Sequence, residues 1–75
     1  MDKEIKIKNE NIMREVVRNL NKQGYKYKIF ADMVGFTQPS FCNFMSGASI
    51  HRASLRILKN KIEKKFDMKI DFIEE

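Results

Sequence analysis

The side chains best suited to covalent or metal chemistry in this 75-residue chain are one histidine, His51, and one cysteine, Cys42, nine positions apart on different expected elements. A zinc site takes about four ligands, and an activated nucleophile needs a base within hydrogen-bond reach. Neither is available: there is no second histidine, the carboxylates are dispersed or terminal, and no glycine-rich phosphate loop occurs. What the chain does gather is a set of hydrogen-bonding side chains, Gln38, Ser40, Asn43 and Ser46, interleaved with Pro39 and Cys42. At about 100° per helical residue, Pro39, Ser40 and Asn43 share the outer side of one helix, and Gln38, Cys42 and Met45 share a flank. Such a surface suits recognition rather than catalysis. No enzyme activity, metal or cofactor is expected, and no small-molecule ligand is evident.

The stretch from Tyr27 to Gly47 must position these groups. Phe30, Ala31 and Val34 recur at three- and four-residue spacing before Gly35, and Phe41, Phe44 and Met45 do so after it. This reads as two short helices, Tyr27 to Val34 and Gln38 to about Ser46. Gly35-Phe36-Thr37 is too short to let the second helix run back along the first, so the pair crosses at a large angle as a helix-turn-helix. Thr37 suits the N-cap of the second helix, and Pro39 is tolerated in its first turn, where an amide has no intrahelical partner to lose. Ile29 and Met33 form a second apolar pair on the first helix that calls for a cover.

Two further helices flank this core. One is expected to start near Asn9 or Asn11 and end at Gly24, with Ile12, Met13, Val16, Val17 and Leu20 as its apolar stripe. Glu10 there suits the positive end of the helix dipole, and Arg14, Arg18 and Lys22 make a basic line. The other starts near Ser49 or Ser54 and runs to about Phe66 on Leu55, Leu58, Ile62 and Phe66. All three glycines fall at expected helix ends and the one proline at a helix start. The termini read differently: Ile5 and Ile7 alternate with Lys6 and Lys8, and Met68, Ile70 and Phe72 with Lys69 and Asp71. Period-two alternation predicts strand-like segments at 4–8 and 68–73, paired as a small two-stranded ribbon within one chain or between two. The fold class expected is therefore all-α, a compact four-helix single domain over 1–75 with that ribbon appended.

A chain this short buries only about 60% of its unfolded surface, and with one cysteine it has no internal disulfide. The lone thiol fits a reducing compartment. No apolar run approaches the roughly 20 residues of a membrane span, and MDKEIKIKNE lacks a signal-peptide core, so a cytoplasmic protein with no membrane partner is expected. Fifteen basic against ten acidic residues give a net charge of +5 and a pI near 9.5. That balance favours a polyanionic partner.

Ala31, Gly35, Phe36, Thr37, Gln38, Ser40, Phe41, Phe44 and Gly47 stand in the spacing of the lambda-repressor-like, or xenobiotic-response-element, helix-turn-helix family of phage-repressor type. The chain resembles that family over about residues 9 to 66. It departs from the pattern at Tyr27, where the family commonly has a phosphate-holding glutamine, and at Pro39, which replaces a polar contact residue. Its strand-like tail stands where the family has a fifth helix. The resemblance implies a sequence-specific double-stranded DNA-binding transcriptional regulator whose recognition helix, 38–46, lies in the major groove. By the same resemblance, Gln38 and Asn43 read adenine edges, Ser40 a base or phosphate, and Pro39 a thymine methyl, while Tyr27, Lys28, Thr37, His51 and Arg52 contact phosphate. With no arginine or lysine on that helix, A·T-leaning half-sites are expected, bound by a homodimer. The rival expectation is a protein-binding module on the same fold, since that helix is uncharged and carries Phe, Cys and Met. RNA binding would call for a stacking platform, for which only Tyr25 and Tyr27 qualify.

Overall fold

A computed structural model describes residues 2–73, and the order of elements is α1 (Asp2–Lys22), α2 (Tyr27–Met33), α3 (Gln38–Met45) and α4 (Arg52–Phe66). The fold is all-helical, with no strand among the described residues. Its radius of gyration, 11.5 Å, matches the ~11 Å expected of a compact chain of this length. The core is Met13, Val17 and Leu20 of α1, Phe30 and Ala31 of α2, Phe41, Phe44 and Met45 of α3, and Leu55, Leu58 and Ile62 of α4, closed by Ile70. Phe41 stands between Phe30 and Phe44, with ring centroids 6.3 and 5.8 Å away, and joins the two short helices.

The turn after α2 is set by hydrogen bonds. Phe36 N donates to Ala31 O at 2.9 Å and Gly35 N to Asp32 O at 3.3 Å, the pair of bonds that satisfies the last carbonyls of a helix when the next residue is left-handed. Gly35 supplies that conformation at φ +71, which costs a residue with a Cβ about 1 kcal/mol. The same two-bond closure ends α1 at Gly24 and α3 at Gly47. Helix α4 ends instead on Asp67, left-handed at φ 50, a conformation that a short polar side chain tolerates.

Two expectations fail at the termini. Residues 4–8 are helical: α1 begins at Asp2, more than a turn before Asn9. Four alternating residues fit a helix as well as a strand, and here Ile5 starts the stripe that continues through Asn9, Ile12, Met13 and Val16. Ile7, some 200° away on a helix, is 52% exposed. Lys6 and Glu10, an i,i+4 ion pair at 3.2 Å, bind the added turns. Residues 68–73 do alternate, with Ile70 buried, Met68 and Phe72 half-buried against the core, and Lys69 and Asp71 outward. Yet they form no ladder and there is no ribbon. Side chains of the helices supply their hydrogen bonds instead: Ile70 N donates to Glu63 Oε2 at 2.7 Å. Ile73 N donates to Asn9 Oδ1 at 2.7 Å, and Asn9 Nδ2 donates to Ile73 O at 3.0 Å. Asn9 is thus a buried clamp on this strap and not a helix cap.

Candidate nucleic-acid interface

Helix α3 divides as its sequence demands. Phe41, Phe44 and Met45 are buried; Gln38, Pro39, Ser40 and Asn43 are exposed; Cys42 is half-buried at the border. The helix starts on Thr37, whose Oγ1 accepts from Ser40 N at 3.3 Å and shares a 2.9 Å hydrogen bond with Ser40 Oγ. This cap fixes the first turn, so Gln38 and Pro39 project from a pinned backbone. The side chains of Gln38 and Asn43 make no hydrogen bond among the described residues and remain open to a partner. No charged side chain lies on the helix.

Tyr27 opens α2 half-buried, its ring edge-on to Phe41 at 6.0 Å, so the start of α2 is packed against α3. Lys28 follows it, exposed. His51 and Arg52 are exposed at the start of α4, where His51 is the N-cap residue without a side-chain capping bond. Ile29 and Met33 are both half-buried, and Met33 packs against the core. Helix packing therefore provides part of the cover that the sequence called for.

The residues that hold this surface in place escaped the sequence reading. Arg14 is not part of a solvated basic line: it is 6% exposed, and its guanidinium fork grips the end of α3. Its Nε donates to Phe44 O at 2.7 Å and Nη2 to Ala48 O at 3.0 Å, while Nη1 donates to Asn11 Oδ1 at 2.7 Å. The same group lies 4.7 Å from the centroid of the Phe44 ring. Positive charge at a helix C-terminus complements its dipole, and Arg18 adds a longer bond, 3.4 Å, to Met45 O. Glu10, expected near a helix start, is instead 1% exposed and accepts from Ile50 N at 3.1 Å as well as from Lys6. One turn of α1 thus fixes both ends of the loop from α3 to α4, and with it the position of His51 and Arg52 relative to α3. The signal was present: Glu10, Met13, Arg14 and Val17 recur at i, i+3, i+4 and i+7, the spacing of a buried face.

At the far end of α2, Lys61 of α4 donates to Met33 O at 2.8 Å. No group of three or more His, Cys, Asp or Glu side chains is placed to hold a metal among the described residues. No helix there is long and apolar enough to cross a membrane. Comparison with protein-family models, with curated proteins and with solved structures finds no match to this chain.

Proposed function

We propose that this protein is a sequence-specific double-stranded DNA-binding regulator of transcription, of the lambda-repressor-like helix-turn-helix type, with α3 in the major groove. The observation that carries the reading is the outer face of α3. Gln38 and Asn43 stand exposed, without hydrogen-bond partners among the described residues, on a helix pinned at its start by Thr37 and at its end by Arg14. An amide side chain can pair with both N6 and N7 of adenine. Ser40 and Pro39 complete the base-facing set. Tyr27, Lys28, Thr37, His51 and Arg52 are the phosphate contacts, at the flanks of α3 where a backbone would run. The net charge of +5 adds a sequence-independent attraction.

A single recognition helix covers roughly 600 to 1,000 Å², so the functional unit is a homodimer on a palindrome with half-sites about 34 Å apart. An uncharged α3 lacks the commonest guanine contact, which gives the operator its A·T lean. A gel shift at two salt concentrations tests this with wild type and Gln38→Ala. Wild type should bind with steep salt dependence. The variant should lose about 1–3 kcal/mol of discrimination at one base position. The absence of charge on α3 also favours a second reading, a protein-interaction module. Failure to bind DNA at either salt, with a stable protein complex in its place, would establish that reading.

A further inference from the structure

A cleft of about 380 Å³ opens between α1, the first half of α4 and the strap at 68–73. Its polar wall is cationic, built from Lys6 of α1 and Arg52, Arg56 and Lys59 of α4, while Leu55 and Phe72 form an apolar floor. Among the described residues, no carboxylate and no residue of α3 lines it. Arg52, Arg56 and Lys59 are four and three residues apart, which brings them to one helix face.

Donors remain at Arg56, Lys6 and Lys59. Arg56 has no ion-pair or hydrogen-bond partner among the described residues. Lys6 and Lys59 are each held by one carboxylate, Glu10 at 3.2 Å and Glu63 at 3.3 Å. An ammonium has three N–H groups, so each lysine is positioned by its glutamate with two donors left over. Lys59 Nζ also sits 5.8 Å from the Phe72 ring centroid, joining the cationic wall to the aromatic floor. The outer wall is the strap, which Asn9 holds by both backbone groups of Ile73.

We infer that this cleft binds a small organic anion, a phosphate or carboxylate carried on an apolar or aromatic body. Its volume falls at the lower end of the ~300 to 1,000 Å³ of small-molecule sites. A nucleic-acid backbone would use the cation row but would leave the Leu55–Phe72 floor unused, which favours the small anion. The site is separate from the face of α3, with Arg52 the one residue common to the cleft and the phosphate contacts.

An NMR titration of the full chain with phenyl phosphate and with inorganic phosphate tests the inference. Phenyl phosphate should shift the amides of Arg56, Asn60 and Phe72, slow hydrogen exchange at Ile73, and bind more tightly than inorganic phosphate, which cannot use the floor. Arg56→Gln should weaken it about fivefold, the worth of one exposed ion pair. Lys64→Gln removes the same charge from the same helix outside the cleft and should leave binding unchanged. Equal losses in the two variants, equal affinity for the two probes, or shifts spread over Lys28, Lys64 and Lys65 would overturn the site. So would an Arg56→Gln variant that weakens duplex DNA binding while phenyl phosphate binding stays intact.

Discussion

Replacing Arg14 by methionine keeps an apolar stem against Phe44 and removes the guanidinium that holds the end of α3. A hydrogen bond to a charged group contributes about 1.5–3 kcal/mol, but two features lower the figure here. Phe44 O also accepts from Gly47 N at 3.0 Å, so it is not orphaned. Ala48 is exposed, so its carbonyl can turn to water. Taking about 1–1.5 kcal/mol for each backbone bond and about 0.5 for the cation over the Phe44 ring, the loss is about 3 kcal/mol. A domain of this length has roughly 4–11 kcal/mol in all. At 4–8 °C per kcal/mol for a chain this size, Tm should fall by about 12–24 °C. Thermal unfolding followed by far-UV circular dichroism measures this, with Arg18→Met as the reference, since its single 3.4 Å bond comes from an exposed side chain. The reference should lose no more than about 0.5 kcal/mol. Arg14→Lys keeps the charge without the fork and should fall between. A drop of less than about 4 °C in Arg14→Met, or equal drops at positions 14 and 18, would refute the clamp.

Asn9→Ala removes both bonds to Ile73 and should cost about 1–2 kcal/mol; hydrogen exchange at Ile73 should accelerate while Leu58 and Ile62 stay protected. Thr37→Ala removes the cap of α3 at about 1 kcal/mol, read as a lower urea midpoint, whereas Thr37→Ser should restore most of it. Glu63 has its pKa lowered from 4.5, first by the hydrogen bond from Ile70 N and then by Lys59 and Lys69, against an opposing push from desolvation. A carboxyl depressed in the folded state contributes stability above its unfolded pKa and loses it as pH falls through the folded value. Denaturant midpoints should therefore decline as pH drops below about 4.5. Glu63→Gln, which can still accept from Ile70 N, should lower stability near neutral pH and flatten that decline, and an unchanged acid profile would remove Glu63 from the account.

The middle of the chain was legible because local and global signals agree there. Phe30, Ala31, Phe41 and Phe44 recur at helical spacing, Gly35 supplies the left-handed residue that ends α2, and Thr37 caps α3 through Ser40 as its side chain allows. Each is decided within about four residues, so sequence periodicity suffices. The exposed face of α3 followed for the same reason: once Phe41 and Phe44 point inward, helix geometry sends Pro39, Ser40 and Asn43 out.

Where a choice depended on a partner far along the chain, the sequence was silent or misleading. Ile5 and Ile7 alternate like a strand, but Asn9 and Glu10 of the same segment are buried against residues 64 and 40 positions away, and a helix alone presents both to them. The strap at 68–73 has the alternation of a strand because it has one face inward; whether a ladder or side chains satisfy its amides depends on what it packs against, and Asn9 and Glu63 do so. Arg14 reads as a surface cation until the end of α3 is brought across it, when the loss of hydration is offset by two carbonyls and a ring. Periodicity thus determined the identity of the helices and the outward face of α3. Only the tertiary structure decided how that face is held, because a buried charge is tolerable only beside partners that folding assembles.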